Sequence, residues 1–432
     1  MFRMKEKSRI KFLSIVGPDT KTSYGIMSQI YSHCDMEKHR FLVTSYEDCM
    51  ERFPKLYEFN DLIFIPKNTG RLRKIKYFYD LLNRSDHIIF HSLYFTSYKY
   101  ILFLFVFRKF LKKSVWVEWG ADLYLWKYDV SSWKNRIKNF IGKTIRESFS
   151  SVAFTFPIND EVFFEQFKSR PKTFYTPMPN PILSATGLME KLDSLNPDNV
   201  QILEKQKNIN QAKIGNKWKR RRISKDTEPK GYCEINPKKC LYRVQIAHNS
   251  FSFNHHVKLI NYLSKFSNDD IEFDMPLAYG AYGINGAFGG MDYVDSVSKY
   301  GKYVFGDKLH IISQNIPFEE YIRYLWSIDI AVFDFDRPCG LGNIRILLYM
   351  GKKLFLPAES KFYKFLQSVG IKVFDTNMIP FMSFEEFVSP PKDNDLTWIK
   401  EYLNNENSIS HWQTMFDALE IGGKDTENGG SK

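Results

Sequence analysis

In the stretch VEWGADLYLW (117–126) one carboxylate, Asp122, stands among aromatic rings just after a β-branched run that stops at Gly120. Two chemistries suit an acid there. It can accept hydrogen bonds from free backbone N–H groups at a helix start, or it can take a proton from a substrate hydroxyl as a general base. Asp19 in VGPD, beside Gly17, and His91 in IIFHS also follow apolar runs and have the same options. Gly120 and Tyr124 share the Asp122 turn and belong with it as candidates.

A second set suits anion binding. In DIAVFDFDRPCGLGNIRILLYMGKK (329–353) a buried run ends in Asp334, Asp336 and Arg337, and Gly340, Gly342 and Asn343 then lead into a helix. A guanidinium beside free helix N–H groups is chemistry for a diphosphate, because Arg recognises phosphate oxygens in a planar, bidentate way. An Asp–Arg ion pair capping the helix is the plainer alternative. Asp334 and Asp336 also spell DxD and would face the same side of a strand end, where a divalent cation is conceivable. The neighbouring Arg337 neutralises charge without one, so a metal-free site with no cofactor is expected. In IAHNSFSFNHH, Asn249 and Ser250 follow a strand and Asn254 opens a helix; these side chains suit a phosphate or ribose, or simple capping. His255 and His256 point in different directions on a helix, which argues against zinc. Tyr279 and Gly280 begin a glycine-rich loop that permits close backbone approach. No GxGxxG fingerprint follows the first strand.

These residues need elements to hold them. IKFLSIVG, RFLVTSY, DLIFIP, HIIFHS, SVWVEWG, SSVAFTF and TFYT read as strands, with helical stretches such as RLRKIKYFYDLLN between some of them. The alternation resumes at YRVQIAHNS and continues through IEFDMPLAYG, KLHIIS, SIDIAVFDFD and KKLFLP. Alternating strands and helices predict α/β architecture with parallel, doubly wound sheets. The expected organisation is a first domain over 1–183, a polar linker over 184–241, a second domain over 242–405, a terminal helix over 406–421 and a disordered tail over 422–432. Within the linker MEKLDSL reads as a helical turn or two, and KWKRRR as a solvated charge run. Ligands in such sheets bind outside the strand carboxyl ends, which is why the strand-end residues were singled out.

The chain has 432 residues, enough for two domains, and carries a net charge of +12. The basic runs lie in the linker and beside the apolar run YILFLFVF (100–107), so no nucleic-acid partner is expected. RKFLKK (108–113) after that run reads either as an element for an anionic membrane surface or as a buried helix with a basic exit. No apolar run reaches the roughly 20 residues of a spanning helix, and no signal peptide is read at the start. Five scattered cysteines suit a reduced, cytosolic chain.

The ordered set VGPD, FHSLYF, EWGADLY, HNSFSFNHH, MPLAYG, YVDSVSKYGKYVFGDKLHII, EEYIRYLWSIDIAVFDFDRPCGLGN and GKK resembles the bacterial TDP-4-acetamido-4,6-dideoxygalactose:lipid II transferases of enterobacterial common antigen synthesis. The resemblance implies a GT-B glycosyltransferase, with two Rossmann-like domains facing each other across a cleft. It also implies a nucleoside diphosphate sugar donor, of TDP type, and a polyprenyl-diphosphate-linked acceptor at the cytoplasmic face of the inner membrane, where the protein would sit peripherally. By position it puts Asn249, Ser250, Asn254, Tyr279, Gly280, Arg337, Gly340 and Gly342 on the donor side, and Asp19, His91 and Asp122 on the acceptor side. Among the last three, Asp122 is the first expectation for the base and Asp19 the second. The chain departs from the family pattern at Pro338 and Cys339, which replace amides, and in its longer linker and extra glycines. A different donor, a non-lipid acceptor, or a non-catalytic sugar- or nucleic-acid-binding protein are the competing readings.

Overall fold

Every apolar run read as a strand forms one in the computed structural model, which describes residues 8–17, 20–43, 59, 62–64, 69–93, 98–177, 188–197, 242–280, 290–337 and 339–428. The chain folds as two units, Met1–Leu188 with Glu401–Lys432, and Met189–Lys400.

The first unit contains β1 (Ile10–Val16), α1 (Thr20–His33), β2 (His39–Val43), β3 (Leu62–Phe64), α2 (Arg71–Arg84), β4 (Ser85–His91), α3 (Tyr98–Val106), β5 (Ser114–Glu118), α4 (Ala121–Tyr124), α5 (Trp133–Ser148), β6 (Ser151–Phe154), α6 (Asn159–Gln166) and β7 (Lys172–Tyr175). Its sheet is wholly parallel in the order β3-β2-β1-β4-β5-β6-β7. A parallel sheet is covered on both faces, so its central strands carry apolar residues without alternation; all five residues of β5 are buried. One face packs on α2, α3, α5 and α6 through Phe78, Leu104, Ile145 and Phe163. The other packs on α1 through Ile26 and Met27, and on Trp412, Met415 and Phe416 from the chain's last helix.

The second unit contains α7 (Leu188–Ser194), β8 (Tyr242–Ile246), α8 (His256–Leu263), β9 (Ile271–Pro276), α9 (Met291–Phe305), β10 (Leu309–Ile312), α10 (Phe318–Ser327), β11 (Ile330–Val332), α11 (Leu341–Tyr349), β12 (Lys353–Leu356), α12 (Lys361–Ser368), β13 (Phe374–Asp375), α13 (Phe384–Val388) and most of α14 (Thr397–Leu403). Its parallel sheet has the order β10-β9-β8-β11-β12-β13. In both sheets the strand order reverses beside the first strand, between β1 and β4 and between β8 and β11. Such a reversal opens a crevice at the strand carboxyl ends.

Two expectations about organisation change. MEKLDSL, placed in the linker, is α7 and docks on the second unit, with Trp326 Nε1 donating to Leu192 O at 3.0 Å and the Tyr349 hydroxyl donating to Asp193. The rest of the expected linker lies largely outside the described residues. The terminal helix, α15 (Asn405–Asn428), runs on through most of the segment expected as a disordered tail and packs on the first unit rather than the second. The segment at 100–113 is core only in part: Phe103, Leu104, Phe110 and Leu111 are buried while Leu102 and Val106 are exposed, Lys109 donates to the Tyr79 hydroxyl at 2.8 Å, and Lys113 donates to Ser85 O. Within RKFLKK, Phe110 and Leu111 are buried and Arg108, Lys109 and Lys112 are exposed.

Candidate functional site

The reversal in the second sheet gathers most of the donor-side residues. Leaving β8, Ala247 takes a positive φ of 56°. That left-handed conformation costs a residue with a Cβ roughly 1–2 kcal/mol. His248 and Asn249 follow. Asn249 Oδ1 accepts from Phe251 N at 3.0 Å and from Asn254 Nδ2 at 2.5 Å, while Asn249 Nδ2 meets His248 Nε2 at 2.7 Å. With the amide oriented this way, His248 accepts at Nε2 and its neutral ring carries the proton on Nδ1. Burial, with His256 and Arg337 nearby, pushes His248 down to about 3. Ser250 donates through both N and Oγ to Tyr279 O at 2.9 Å, which ties the β8 loop to the β9 loop. Gly280 has φ +102°, and a Cβ there would lie 3.0 Å from Ser250 Oγ, so glycine is demanded by both backbone and space.

Across the reversal, the loop after β11 meets these residues at three points. The Arg337 guanidinium lies over the Phe253 ring at 4.6 Å, and Cys339 Sγ donates to Asn254 Oδ1 at 3.3 Å. Gly340, the N-cap of α11 with φ +68°, sits so close to His248 that a Cβ would approach its ring to 2.8 Å. Next to it Gly342 has nothing within 4 Å of a Cβ position, leaving the first turn of α11 open on that side. Asn343 is engaged by the Tyr321 hydroxyl on α10. A helix start with free N–H groups, open at a glycine and flanked by an Arg and a His, is built to receive an anion.

Asp334 does not pair with Arg337. It is 3% exposed and faces His255 Nδ1 at 3.3 Å and Lys258 Nζ, while His255 Nε2 lies 3.1 Å from Asp336. Lys258 stands above its usual value through the hydrogen bond and charge of Asp334, against an opposing effect of burial that is the largest single influence. His255 reaches both acids because it holds φ +46° at the start of α8. Its neighbour His256 turns inward to the Tyr293 hydroxyl at 3.0 Å. Among the described residues no three His, Cys, Asp or Glu side chains are arranged to hold a metal ion.

The first unit treats its expected acceptor-side residues differently. Asp122 is 1% exposed; Oδ2 accepts from Leu93 N and from Trp116 Nε1, both at 2.7 Å, and Oδ1 accepts from Trp119 N at 2.9 Å. Its backbone carbonyl takes two hydrogen bonds from buried Arg146. It is not the cap of α4 either, since Gly120, with φ +78°, fills that position. Asp122, the first expectation for the base, is here a buried carboxylate holding three donors, which ties the turn after β4 to the turn after β5. His91 is likewise buried, hydrogen-bonded to Ser14 Oγ at 3.2 Å and stacked on Trp412, with burial pushing it down to about 3. Gly17 O accepts from Ser23 Oγ at 3.1 Å. Tyr124 donates to Asn159, which in turn donates to Glu118 at 2.6 Å. Asp19 lies outside the described residues.

Comparison with known proteins bears on the second unit first. The family described as 4-alpha-L-fucosyltransferase, glycosyl transferase group 56, matches residues 238–382, a span that holds all of the donor-side residues. Among solved structures, Anabaena HepE in complex with UDP and glucose is similar at a TM-score of 0.60, with 9% identity over 95% of this chain and 100% of that one. The chain carries a glycosyltransferase domain on a GT-B fold. A glycosyltransferase from Rickettsia africae shares the fold at a TM-score of 0.52 and 12% identity, over 96% of this chain and 94% of that one. Sucrose-phosphate synthase from Thermosynechococcus elongatus does so at 0.51 and 11% identity, over 97% and 98%.

The sequence reading missed His248 and Lys258 as members of the second-unit site, and Glu118 in the first. HNSFSFNHHVK contains the first two, but neither has a spacing signal; their roles come from Gly340 and Asp334, far along the chain. Glu118 is wholly buried under four donors from Gly120, Thr155 and Asn159. Burial and the Asp122 charge push it up to about 7.

Proposed function

We propose that the chain transfers a deoxyamino sugar of the 4-acetamido-4,6-dideoxyhexose type from a nucleoside diphosphate, TDP for preference, to an undecaprenyl-diphosphate-linked saccharide in surface polysaccharide synthesis. The observation that carries the reading is the meeting of His248, Arg337 and the Gly340–Gly342 start of α11 at the reversal of the second sheet, inside the span matching a fucosyltransferase family. The departing diphosphate gains charge as the glycosidic bond breaks, and fixed N–H donors with a guanidinium stabilise that charge without reorganising. Asn249, Ser250 and Asn254 shape the loop that holds His248 in place, and exposed Tyr279 edges it. The fucosyl description of the matched family supports a 6-deoxyhexose, and the UDP bound by HepE supports a diphosphonucleoside donor.

No metal enters this reading, because the Asp334 carboxylate already has the Lys258 ammonium beside it and His255 lies against both Asp334 and Asp336. Of the acceptor-side acids, Asp19 is proposed as the base, since Asp122 and His91 are buried and engaged. The acceptor would be met at the cytoplasmic face of the inner membrane. The test is a thermal-shift panel of TDP, UDP, GDP and CMP in EDTA, followed by transfer assays with polyprenyl-diphosphate and water-soluble acceptors. Stabilisation by TDP together with lipid-dependent turnover is the expected result. Stabilisation by none of the four, with or without Mg²⁺, sinks the donor reading; turnover on soluble acceptors alone sinks the lipid one.

A further inference from the structure

Nine of the sixteen exposed large apolar side chains among the described residues fall between positions 72 and 140, all in the first unit. Scattered exposed apolar residues need no explanation, but a concentrated set rimmed by charge marks an interaction face. Trp133, Ile137 and Phe140 recur at the i, i+4, i+7 spacing of one helical stripe on α5 and are 67%, 46% and 64% exposed. The stripe lies beside, not within, the buried face formed by Ile141 and Ile145. Phe140 meets Phe105 of α3 edge-on at 6.2 Å, and Leu102 and Val106 lie outward on that same short helix. The stripe therefore continues from one helix to the next.

The charge around it is mainly positive, with Asp129 beside Tyr128 the nearest acid in sequence. Lys134 lies over the Trp133 ring, Arg108 over Phe105 at 5.3 Å, and Lys138 over exposed Tyr128 at 4.9 Å. Along α5, Lys134, Arg136, Lys138 and Lys143 are opposed only by Glu147 in the last turn, and that acid lies 3.9 Å from Lys143. An aromatic and aliphatic stripe fringed by cations is matched by a surface with an apolar interior and anionic headgroups. A nucleic acid would use the cations and leave the outward Trp133, Ile137 and Val106 in water. No helix among the described residues is long and apolar enough to cross a membrane, so contact through this face is contact from one side.

We propose that the α3–α5 face of the first unit docks on an anionic lipid surface, with Trp133, Ile137 and Phe140 entering the interface and Lys134, Arg136 and Lys138 meeting the headgroups. The face overlaps the 100–113 segment picked out in the sequence at Leu102, Phe105, Val106 and Arg108 and adds α5, while Phe110 and Leu111 of that segment are buried. The proposal deepens the lipid-acceptor reading, and only its purpose rests on that reading; the docking is measured without donor or acceptor.

The experiment is sedimentation of the full chain with phosphatidylcholine vesicles and with vesicles containing phosphatidylglycerol, over a range of salt. The expected result is binding to the anionic vesicles alone, weakened by salt, with a blue shift of tryptophan emission that Trp133→Ser abolishes. The triple variant Lys134→Gln, Arg136→Gln, Lys138→Gln should bind about 100-fold more weakly, at roughly fivefold for each cation near the surface. A second variant, Ile137→Ser with Phe140→Ser, should lose binding while its cations stay. Because all these positions are exposed or half-exposed, unchanged melting and nucleotide shifts check that both variants fold. Vesicle binding that neither variant alters overturns the proposal. So does its absence, or self-association in ultracentrifugation that the Ile137 and Phe140 changes remove, which would make the face a contact between copies. Failure of the donor reading would instead show as lost nucleotide shifts with vesicle binding intact.

Discussion

Replacing Asp122 by Asn separates a scaffold carboxylate from a catalytic one. The carboxylate accepts from Leu93 N, Trp116 Nε1 and Trp119 N, and it is 1% exposed. An amide has one acceptor oxygen. If that oxygen takes the Oδ2 position it keeps Leu93 and Trp116, but the NH₂ group then points its hydrogens at Trp119 N–H. A charge-assisted hydrogen bond is worth about 1.5–3 kcal/mol, and leaving a buried donor unsatisfied costs about 1–3 kcal/mol. The two together give an expected loss of about 2.5–6 kcal/mol in the first unit. Arg146, buried against Trp116 and Trp126, loses its nearest anion as well. For a unit of this size each kcal/mol is worth about 2–4 °C, so melting should fall by about 5–24 °C. The assay is denaturant unfolding of both proteins alongside turnover measured well below the variant's melting point. A group acting in proton transfer is expected to cost about 10²–10⁴ in rate when removed. Wild-type unfolding with turnover down by that factor would refute the scaffold assignment and restore Asp122 as the base.

Gly340→Ala forces a Cβ to 2.8 Å from the His248 ring at φ +68°, so either His248 or the start of α11 must move. The left-handed backbone alone costs roughly 1–2 kcal/mol, and nucleotide affinity by calorimetric titration should fall about tenfold or more; unchanged affinity would remove this contact from the donor site. Acid should destabilise both units. His91 and His248 are held down at about 3, and His39 and His256 at about 4, chiefly by burial. The unfolded chain therefore takes up protons below about pH 6.5 that the folded chain refuses, and each such histidine costs about 1.4 kcal/mol per pH unit on the way down. Unfolding midpoints flat from pH 7 to pH 5 would contradict the buried, neutral assignment. Lys258→Met strips buried Asp334 of its ammonium partner and should cost about 2 kcal/mol, less than a fully buried pair because the Lys is partly exposed and His255 remains. Adding Asp334→Asn should recover part of it, and a double variant no more stable than the single one counts against the pairing. Asp19→Asn should lower turnover at least about 100-fold with nucleotide affinity unchanged; turnover near wild type ends its candidacy as the base.

Strand and helix positions were local information. Apolar runs such as SVWVEWG and SIDIAVFDFD fix their own burial because a residue's hydrophobicity and β-branching act wherever it sits, and these runs became β5 and β11. The rule that ligands gather at strand ends also needed only the order of elements, and it singled out Asn249, Gly280, Arg337 and Gly340. What those residues touch was not local. Asp122 is held by Leu93, 29 positions away, and His255 finds Asp334 at a separation of 79. His91 is sealed by Trp412 from a helix the sequence could place only at the end of the chain, yet which folds back on the first sheet. An acid after a strand looks the same in sequence whether water or a tryptophan N–H waits beside it. The partner decides whether that acid is free to take a proton, and only the packing of distant segments brings the partner there.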